Sequence, residues 1–173
     1  MNRTEREPRY THIVHPFGPL YDASSEILIL GSLPSVKSRE QNFFYGHPQN
    51  RFWPLLAELF DEPAPGSVEE KRALALRHHI ALWDTIYSCD IVGSSDSSIR
   101  NVVPTDLREI LAASCVQRIF CNGATSGRYF QKYHAPALGM TATVLPSTSP
   151  ANAAWTMEKL LDAWRVIREN KLT

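Results

Sequence analysis

The sequence predicts a three-layer α/β/α domain in which helices cover both faces of a central, mainly parallel four-stranded sheet. Two observations lead to this fold class. Four short, nearly continuous apolar segments have the length of buried strands, and amphipathic helical patterns lie between them. Strands that alternate with helices are typical of parallel sheets, because each parallel connection crosses a face of the sheet.

The four predicted strands are apolar along nearly their whole length. Such segments suit strands that are covered on both faces of a parallel sheet. In chain order they are residues 26–33 (EILILGSL), 80–86 (IALWDTI), 117–122 (QRIFCN) and 141–146 (TATVLP).

Five predicted helices lie between or after these strands. They span residues 50–61, 67–79, 105–114, 128–133 and 153–170. Pro54 fits the first of them only within its first turn. Ser67 and Glu70 have the spacing of a capping box, and Thr105 or Asp106 can cap the third helix. The last helix carries one apolar stripe, made of Met157, Leu160, Leu161, Trp164 and Ile167.

We expect residues 1–173 to form a single domain, since 43% of them are apolar and can bury a core. Residues 1–25 are polar and contain several prolines, and we expect this segment to wrap around the surface. Acidic and basic residues number 18 each, so the net charge is zero. This balance does not favour a strongly basic, non-specific nucleic-acid binder, although a local basic face is compatible with it.

The three cysteines include no CxxC pair and have no close histidine partner. We therefore expect no metal and no other cofactor. The first residues lack the apolar stretch of a signal peptide, and no apolar run is long enough to span a bilayer. We expect a monomeric cytoplasmic protein with no membrane partner, associated with the nucleoid in a bacterial host.

The ends of the four predicted strands are rich in small and polar residues. They are GSLPS at 31–35, WDTIYS at 83–88, CNGATS at 121–126 and PSTSPAN at 146–152. In open parallel sheets, ligands bind outside the carboxyl ends of the strands. We therefore expect four loops to meet at one crevice and to form the functional site there.

Residues 31–53 have the composition expected around a planar heterocycle. A GSLPS turn after a buried strand brings backbone N–H groups close to a ligand. It is followed by Phe43, Phe44 and Tyr45 and by HPQNRFW at 47–53, where aromatic rings alternate with side-chain amides. Rings can stack on a base, and amides can bond to its edge. Most of these rings fit the core equally well, and we expect Tyr45 to be the exposed one.

Several common catalytic motifs are absent. The sequence has no Gly-x-Ser-x-Gly, no Walker loop and no Gly-x-Gly-x-x-Gly, which disfavours the corresponding hydrolases, kinases and dehydrogenases. An esterase that uses Ser35 or Ser38 with His47 remains a weaker alternative. A metal site at residues 78–79 is disfavoured because no third ligand is near.

Several of these segments together resemble the uracil-DNA glycosylase superfamily. The resemblance is carried by GSLPS at 31–35, YGHPQNRFW at 45–53 and PSTSPAN at 146–152. GSSDSSIRN at 93–101 and FCNGA at 120–124 add a similarity to its hypoxanthine-DNA glycosylase branch. The matching segments extend over nearly the whole domain.

The resemblance implies a DNA glycosylase. No lysine in these segments stands at a position suited to a Schiff base, so we expect a monofunctional enzyme without strand cleavage. Such an enzyme hydrolyses the N-glycosidic bond of a flipped deaminated base, hypoxanthine or uracil, in base excision repair. Other branches place Asp or Asn where this sequence has Leu33, and many place His or Asn where it has Leu145. In the hypoxanthine branch the resemblance assigns the catalytic role to Asn50. It also implies that Tyr45 stacks on the flipped base.

Candidate contacts to the base and to the DNA partner surround these residues. Asp84 is similar in position to a base-contacting Asn of uracil-removing relatives, and a carboxylate accepts equally from hypoxanthine N1–H and uracil N3–H. The base-binding candidates are Gly31, Ser32, Leu33, Tyr45, Asp84 and Asn122. The DNA-binding candidates are Ser35, Lys37, Arg51, Ser147, Ser149 and Asn152. Further basic residues that can face phosphates are Arg39, Arg100 and Arg128.

A second class of function stays open from the sequence. Leu33, Leu145 and the zero net charge favour a non-catalytic module of the same fold that binds damaged DNA or a nucleotide. For an enzyme, a neutral amide at Asn50 is a poor general base, so we expect a reaction driven by the leaving group. Its rate should vary weakly between about pH 6 and 8, whereas dependence on one carboxylate would indicate Asp84 or Glu40.

Overall fold

A computed structural model describes residues 7–169 and contains two β-sheets. The strands in chain order are β1 (Thr11–Val14), β2 (Ile27–Gly31), β3 (Ile80–Asp84), β4 (Ile86–Ile91), β5 (Arg100–Pro104), β6 (Arg118–Asn122) and β7 (Ala142–Leu145). The central sheet is parallel, with strand order β3-β2-β6-β7, and helices cover it in a three-layer α/β/α arrangement. The predicted fold class and all four predicted strands are confirmed.

The strands β2 and β3 carry side chains that suit a sheet covered on both faces. All residues of β2 (ILILG) and of β3 (IALWD) are buried. Helices cover both faces of the sheet, so neither face of these strands can be polar without loss of hydrogen bonds to water. The parallel register pairs Gly31 with Asp84 at the carboxyl ends. Their loops therefore leave the sheet at the same edge.

The helices surround the central sheet and follow local capping signals. In chain order they are α1 (Val36–Gln41), α2 (Phe52–Leu59), α3 (Val68–Arg77), α4 (Arg108–Ala113), α5 (Ala124–Tyr129), α6 (Ala135–Leu138) and α7 (Met157–Trp164). Pro54 lies in the first turn of α2, and the Ser67 hydroxyl accepts from the N–H of Glu70 at the start of α3, as predicted. Asp106 likewise accepts from the N–H of Arg108 ahead of α4. None of the helices within residues 7–169 is long and apolar enough to cross a membrane.

Two helices near the strand ends differ from the prediction. The short helix α1, which the sequence does not predict, begins after Ser35, whose hydroxyl accepts from the N–H of Ser38. The helix predicted over 128–133 begins earlier, at Ala124, and continues through a π-helical turn into α6. It starts directly after Gly123, whose φ of +95° lies in the left-handed region that glycine adopts readily.

The last helix is shorter than predicted at its N-terminus. It begins at Met157 after a Thr156 cap, and not at residue 153, because residues 146–156 form a loop held by its own side chains. At its other end α7 stops at Trp164 and is followed by a 3₁₀ turn over Arg165–Ile167, so it also ends before the predicted Asn170, a residue outside the described part of the chain. The predicted apolar stripe faces the core, because Leu160 and Trp164 are buried there.

The second sheet is antiparallel, with strand order β1-β4-β5, and the sequence does not predict it. Residues 11–14 pair with β4, so the expectation that residues 1–25 only wrap the surface is wrong for this part of the segment. A four-residue strand with one buried side chain, Ile13, has too short an apolar pattern to be detected. His15 and Leu20 are also buried. Residues 1–6 of that segment lie outside the described residues.

Candidate active site

A cavity of about 380 Å³ opens at the carboxyl ends of the parallel strands. Loops from all four strand ends line it, as the sequence predicts. Among its lining residues are the candidates Gly31, Ser32, Leu33, Ser35, Tyr45, Asn50, Asp84, Asn122, Ser147 and Ser149. The volume is in the range of sites that bind small organic ligands, and it is sufficient for one planar heterocycle.

Gly31 allows two polar side chains to approach the backbone at the floor of this cavity. A Cβ atom at this position would lie 2.4 Å from Asp84 Oδ1 and 3.4 Å from Tyr45 Oη. The first distance is far below van der Waals contact, so only glycine leaves room for the carboxylate here. Because Gly31 has no side chain, the Asp84 carboxylate and the Tyr45 hydroxyl both lie beside its backbone.

Asp84 is held by His15, a residue that no sequence motif identifies. Asp84 Oδ2 lies 2.6 Å from Nε2 of His15, and the Asp84 carbonyl oxygen accepts from Thr105 Oγ1 at 2.6 Å. The ring of His15 is buried against Phe17 and Trp83, with centroid distances of 4.6 and 4.3 Å. Asp84 Oδ1 has no hydrogen-bond partner among the described residues. Asp84 therefore offers one free acceptor at the cavity.

Tyr45 has an unusual backbone and a buried hydroxyl. Its φ of +53° lies in the left-handed region, where non-glycine residues persist only when their surroundings hold them. Its ring stacks on Phe52 with centroids 4.1 Å apart. The expectation that Tyr45 is exposed is wrong, because the residue is half-buried and its hydroxyl is buried without a partner in residues 7–169. Burial and the nearby Asp84 carboxylate raise the pKa of Tyr45, so the phenol remains a donor.

Asn50 lines the cavity with its side chain held in one orientation. Its Oδ1 atom accepts from the backbone N–H of Phe52 at 2.9 Å and from Thr148 Oγ1 at 2.8 Å. A backbone N–H can only donate, so the atom that faces it must be the oxygen. The Nδ2 amide has no hydrogen-bond partner within the described part of the chain. Asn50 is therefore free to act as a donor, whereas its oxygen is already engaged.

Thr148 connects Asn50 to Asn122. It lies in the PSTSPAN segment, but it is not among the site residues that the sequence predicts. Its backbone N–H donates to Asn122 Oδ1 at 3.0 Å, and its hydroxyl accepts from Asn122 Nδ2 at 3.0 Å. Thr148 is fully buried. The sequence points instead to its neighbours Ser147 and Ser149, because a short run of Ser and Thr does not indicate which side chain faces inward.

The serines at the cavity bond mainly to nearby backbone groups. Ser147 Oγ accepts from the N–H of Ser149 at 3.1 Å, and Ser149 Oγ accepts from the N–H of Ala151 at 3.2 Å. An accepting hydroxyl keeps its own hydrogen, so both serines can still donate to a ligand. Ser35 differs, since its hydroxyl caps α1 and donates to Ser38 Oγ at 3.1 Å.

The contacts of these serines do not support the esterase alternative. His47 Nδ1 accepts from the backbone N–H of Gln49 at 3.1 Å. Ser35 and Ser38 bond to each other, and Ser38 Oγ also accepts from the N–H of Gly46 at 2.9 Å. Within residues 7–169 no hydrogen bond joins His47 to either serine, so a nucleophile and its base are not in place.

Of the basic residues predicted near the crevice, Arg39 is the one that lines the cavity. Its Nε is buried, and the part of the chain that the structure describes supplies neither a side-chain hydrogen bond nor an ion pair for its guanidinium. Lys37 pairs with Glu40 at 3.3 Å on the surface. Arg100 lies over a tyrosine ring, and Arg128 donates to a threonine hydroxyl at 3.4 Å. Arg39 is therefore the basic side chain most available to an anion at the site.

Arg51 and Asn152 lie behind the cavity and hold its loop. Arg51 donates to the carbonyl oxygens of Ser149 and Asn152, each at 3.1 Å, and to that of Trp155. Asn152 Nδ2 donates to the carbonyl oxygen of Ser147 at 3.0 Å. Neither residue lines this cavity, and both bond to the loop that carries Ser147 and Ser149. Asn152 also lines an adjoining depression with the two serines.

One wall of the cavity is apolar. Leu33 lies there with Ile13, in a small hydrophobic cluster beneath the antiparallel sheet. Leu145 is buried in the main core. Asp84 and Asp96 are the carboxylates that line the cavity among the described residues. In residues 7–169, no group of His, Cys, Asp and Glu is placed to hold a metal ion.

Over most of its length the chain is similar to one superfamily of DNA glycosylases. The sequence model of the Uracil DNA glycosylase superfamily matches residues 19–169, which is most of the chain. The chain belongs to the uracil DNA glycosylase superfamily. Its enzyme class is DNA glycosylase, and its substrate is therefore DNA.

Individual relatives agree with this assignment. The chain is 36% identical over 138 residues to a hypoxanthine DNA glycosylase of Methanosarcina acetivorans, covering 79% of this chain and 86% of the relative. It is 34% identical over 139 residues to a hypoxanthine DNA glycosylase of Methanosarcina barkeri, with the same coverage. A solution NMR structure of a candidate uracil DNA glycosylase from Methanosarcina acetivorans matches with a TM-score of 0.74 at 30% identity, over 88% of this chain and 97% of that chain. The resemblance inferred from the sequence motifs is confirmed.

Proposed function

We propose that this glycosylase is monofunctional and removes a deaminated base from DNA in base excision repair, with hypoxanthine preferred over uracil. The observation that carries the proposal is the unpartnered Nδ2 amide of Asn50 beside a cavity large enough for a base. Similarity to two proteins named hypoxanthine DNA glycosylase supports the choice of base.

Two polar groups at the cavity floor are complementary to the edge of a deaminated base. Asp84 Oδ1 accepts and the Tyr45 hydroxyl donates, and both lie beside Gly31. Hypoxanthine and uracil each carry a ring N–H next to a carbonyl oxygen, which such a pair can satisfy. Adenine instead carries a bare ring nitrogen next to an amino group. The pair therefore favours the deaminated purine over adenine.

The reaction joins water to the sugar and releases the base. The bond from C1′ to the base nitrogen breaks, and the base leaves with the electron pair while water adds to C1′. The base anion then gains a proton and the added water loses one, so that free base and an abasic site result. A donor that faces the developing anion stabilises the transition state more than the neutral substrate. Asn50 Nδ2 supplies that donor.

Leu33 explains why stabilisation of the leaving base must carry the reaction. The wall that it forms has no group able to take a proton from water. Of the two carboxylates that line the cavity among the described residues, Asp84 is bonded to His15 through Oδ2, and Asp96 accepts from the Thr125 hydroxyl at 3.1 Å. We assign Asp84 to recognition of the base and Asn50 to stabilisation of its departure.

The base reaches the cavity by leaving the DNA stack, which costs a few kcal/mol and least at a mismatch. The phosphates beside the flipped nucleotide then lie near the mouth of the cavity. We assign contacts with them to Arg39, Ser147 and Ser149, which line the cavity and can donate. Local charge decides such contacts, so a chain with zero net charge can still bind DNA.

Single-turnover cleavage of defined oligonucleotides tests the proposal. Each oligonucleotide carries one deoxyinosine or one deoxyuridine, as a single strand or opposite each base, and is treated with alkali after incubation. We expect an alkali-dependent break at deoxyinosine and a weaker one at deoxyuridine. Binding without any break would overturn the proposal and support the non-catalytic module that Leu33 and Leu145 favour. Breaks without alkali would contradict a monofunctional enzyme.

A further inference from the structure

We infer that Thr148 is a positioning residue of this enzyme: its hydroxyl holds the Asn50 amide with Nδ2 available to the leaving base and links it to Asn122. The inference rests on the proposed function, in which Asn50 stabilises that base. Thr148 borders the cavity. Its hydroxyl is engaged with Asn50 and Asn122, so in this scheme it acts through the two amides and not on the substrate.

Each hydrogen bond of Thr148 has only one allowed direction. Its backbone N–H must donate to Asn122 Oδ1, which leaves Asn122 Nδ2 to donate to Thr148 Oγ1. The hydroxyl hydrogen is then available to Asn50 Oδ1 at 2.8 Å, beside the Phe52 N–H at 2.9 Å. A flipped Asn50 amide would set its NH₂ group against the Phe52 N–H, which can only donate, and would remove the acceptor of the Thr148 hydroxyl hydrogen. The network therefore excludes the orientation in which Asn50 would offer its oxygen.

Thr148 is itself held in place by the segment that it orients. It is fully buried, and its carbonyl oxygen accepts from the backbone N–H of Arg51 at 3.1 Å. The backbone and the hydroxyl of one residue thus contact two consecutive residues that lie about a hundred positions away in sequence. Hydrogen bonds that follow one another in a chain, from donor to acceptor, polarise and strengthen each other in a buried site. The loop at 146–156 and the Asn50 amide are consequently fixed relative to each other.

Thr148→Val is the direct test, because valine keeps the size and branching of the side chain but removes the hydroxyl. Asn50 Oδ1 then keeps only the contact with Phe52, and its amide can rotate. We expect the single-turnover rate constant at saturating enzyme to fall by about 10- to 100-fold, since a misplacement of about 1 Å can cost about 10²-fold. The enzyme concentration for half-maximal rate should change little. Thr148→Ser retains the hydroxyl and should retain most of the rate.

Thr85 offers a matched control for the loss of a buried hydroxyl. It is fully buried like Thr148, but its hydroxyl has no hydrogen-bond partner among the described residues, and it does not line the cavity. Thr85→Val should therefore cleave at the wild-type rate. Thr148→Ala provides a second variant without the hydroxyl, and thermal melts establish that every variant is folded.

A double variant separates action through Asn50 from a general effect on the site. If Thr148 acts through Asn50, adding Thr148→Val to Asn50→Ala should lower the residual rate by less than about twofold, because groups that act as a unit are not additive. A full further loss in the double variant would overturn the inference. So would a wild-type rate for Thr148→Val, or equal losses for the Val and Ser variants.

Side-chain amide signals in ¹⁵N–¹H NMR spectra provide a measurement that does not depend on cleavage. The Asn50 and Asn122 amide signals should move in Thr148→Val and Thr148→Ala, and stay in place in Thr148→Ser and Thr85→Val. Unmoved signals in the first two variants would overturn the inference. A wild-type enzyme that releases no base would instead overturn the proposed function, and these signals would still decide whether Thr148 positions the amides.

Discussion

His15 Nε2 lies 2.6 Å from Asp84 Oδ2, and this contact joins the end of β1 in the antiparallel sheet to the end of β3 in the parallel sheet. The two side chains are 0% and 6% exposed. A carboxylate at such depth is strongly unfavourable without a partner. His15 is therefore what permits an acceptor at the cavity floor, and the second sheet contributes directly to the site.

His15→Phe should destabilise the protein, because it keeps a buried ring but leaves Asp84 Oδ2 without a partner. We expect the free energy of unfolding to fall by about 3–5 kcal/mol, the range for removing one partner of a buried pair. Adding Asp84→Asn should recover part of this loss, since an amide carries no charge. Urea unfolding measures both changes. His12 offers the control: it pairs with Asp90 at 2.8 Å but is 64% exposed, so His12→Phe should change stability little.

Asn50→Asp separates the amide donor of Asn50 from its structural contacts. Aspartate keeps an oxygen for the Phe52 N–H and the Thr148 hydroxyl, but it has no N–H to offer and its charge repels the departing anion. We expect cleavage of deoxyinosine to fall by at least about 10²- to 10³-fold, the loss for one such donor. The melting temperature should be closer to the wild-type value than that of Asn50→Ala. An active Asn50→Asp enzyme would mean that this residue works as an acceptor or base.

Tyr45→Phe should have opposite effects on stability and on catalysis. The buried hydroxyl lacks a partner, so its removal should leave the free energy of unfolding unchanged or raise it by up to about 3 kcal/mol. With substrate bound, the same hydroxyl donates to the base, and kcat/KM for deoxyinosine should fall about 2- to 10-fold. Urea unfolding and steady-state kinetics measure the two effects. A destabilised variant with unchanged kcat/KM would contradict the assignment.

Arg39→Gln tests whether the unpaired guanidinium at the cavity binds a phosphate. One lost phosphate contact should reduce the slope of log binding constant against log salt by about one. Fluorescence anisotropy with labelled DNA measures this slope. Arg108→Gln is a suitable control, since Arg108 is exposed, pairs with Asp106 at 2.9 Å and does not line the cavity. Equal slopes for the wild type and both variants would exclude the contact.

The cleavage rate should vary weakly between about pH 6 and 8. The Asn50 amide does not titrate, and the raised pKa of Tyr45 means that its phenol keeps its proton to higher pH than usual. Neither group therefore changes state in this interval. Single-turnover rates across the interval provide the measurement. A steep fall that follows one carboxylate would indicate a base at the cavity, Asp84 or Asp96, because Glu40 is paired with Lys37 on the surface.

Local patterns were sufficient to predict the central sheet and the position of the site. The strands β2, β3 and β6 are largely buried in a covered parallel sheet, and this leaves a clear apolar signal over five residues. The edge strand β7 is shorter and partly exposed, so its signal is weaker. Parallel strands end at the same edge, so polar residues after them predict a common crevice. The cavity is lined by residues from all four predicted loops.

The same reasoning failed for the antiparallel sheet and for the exposure of Tyr45. Strand β1 has one buried residue, and β4 pairs with β5 through register shifts, so neither pairing leaves a regular period. Tyr45 sits in a left-handed conformation, which turns its ring onto Phe52. Periodicity carries no information about a single residue of this kind.

By itself the sequence determined the parallel sheet, the edge at which its loops converge, and most of the residues that line the cavity. Only the tertiary structure decided which polar atom of each side chain at the cavity has no hydrogen-bond partner and can contact a ligand. His15 meets Asp84 across 69 positions and Thr148 meets Asn50 across 98 positions. A polar side chain in a loop is compatible with many partners. Its hydrogen-bond direction is set only when a distant backbone N–H, such as that of Phe52, is brought against it.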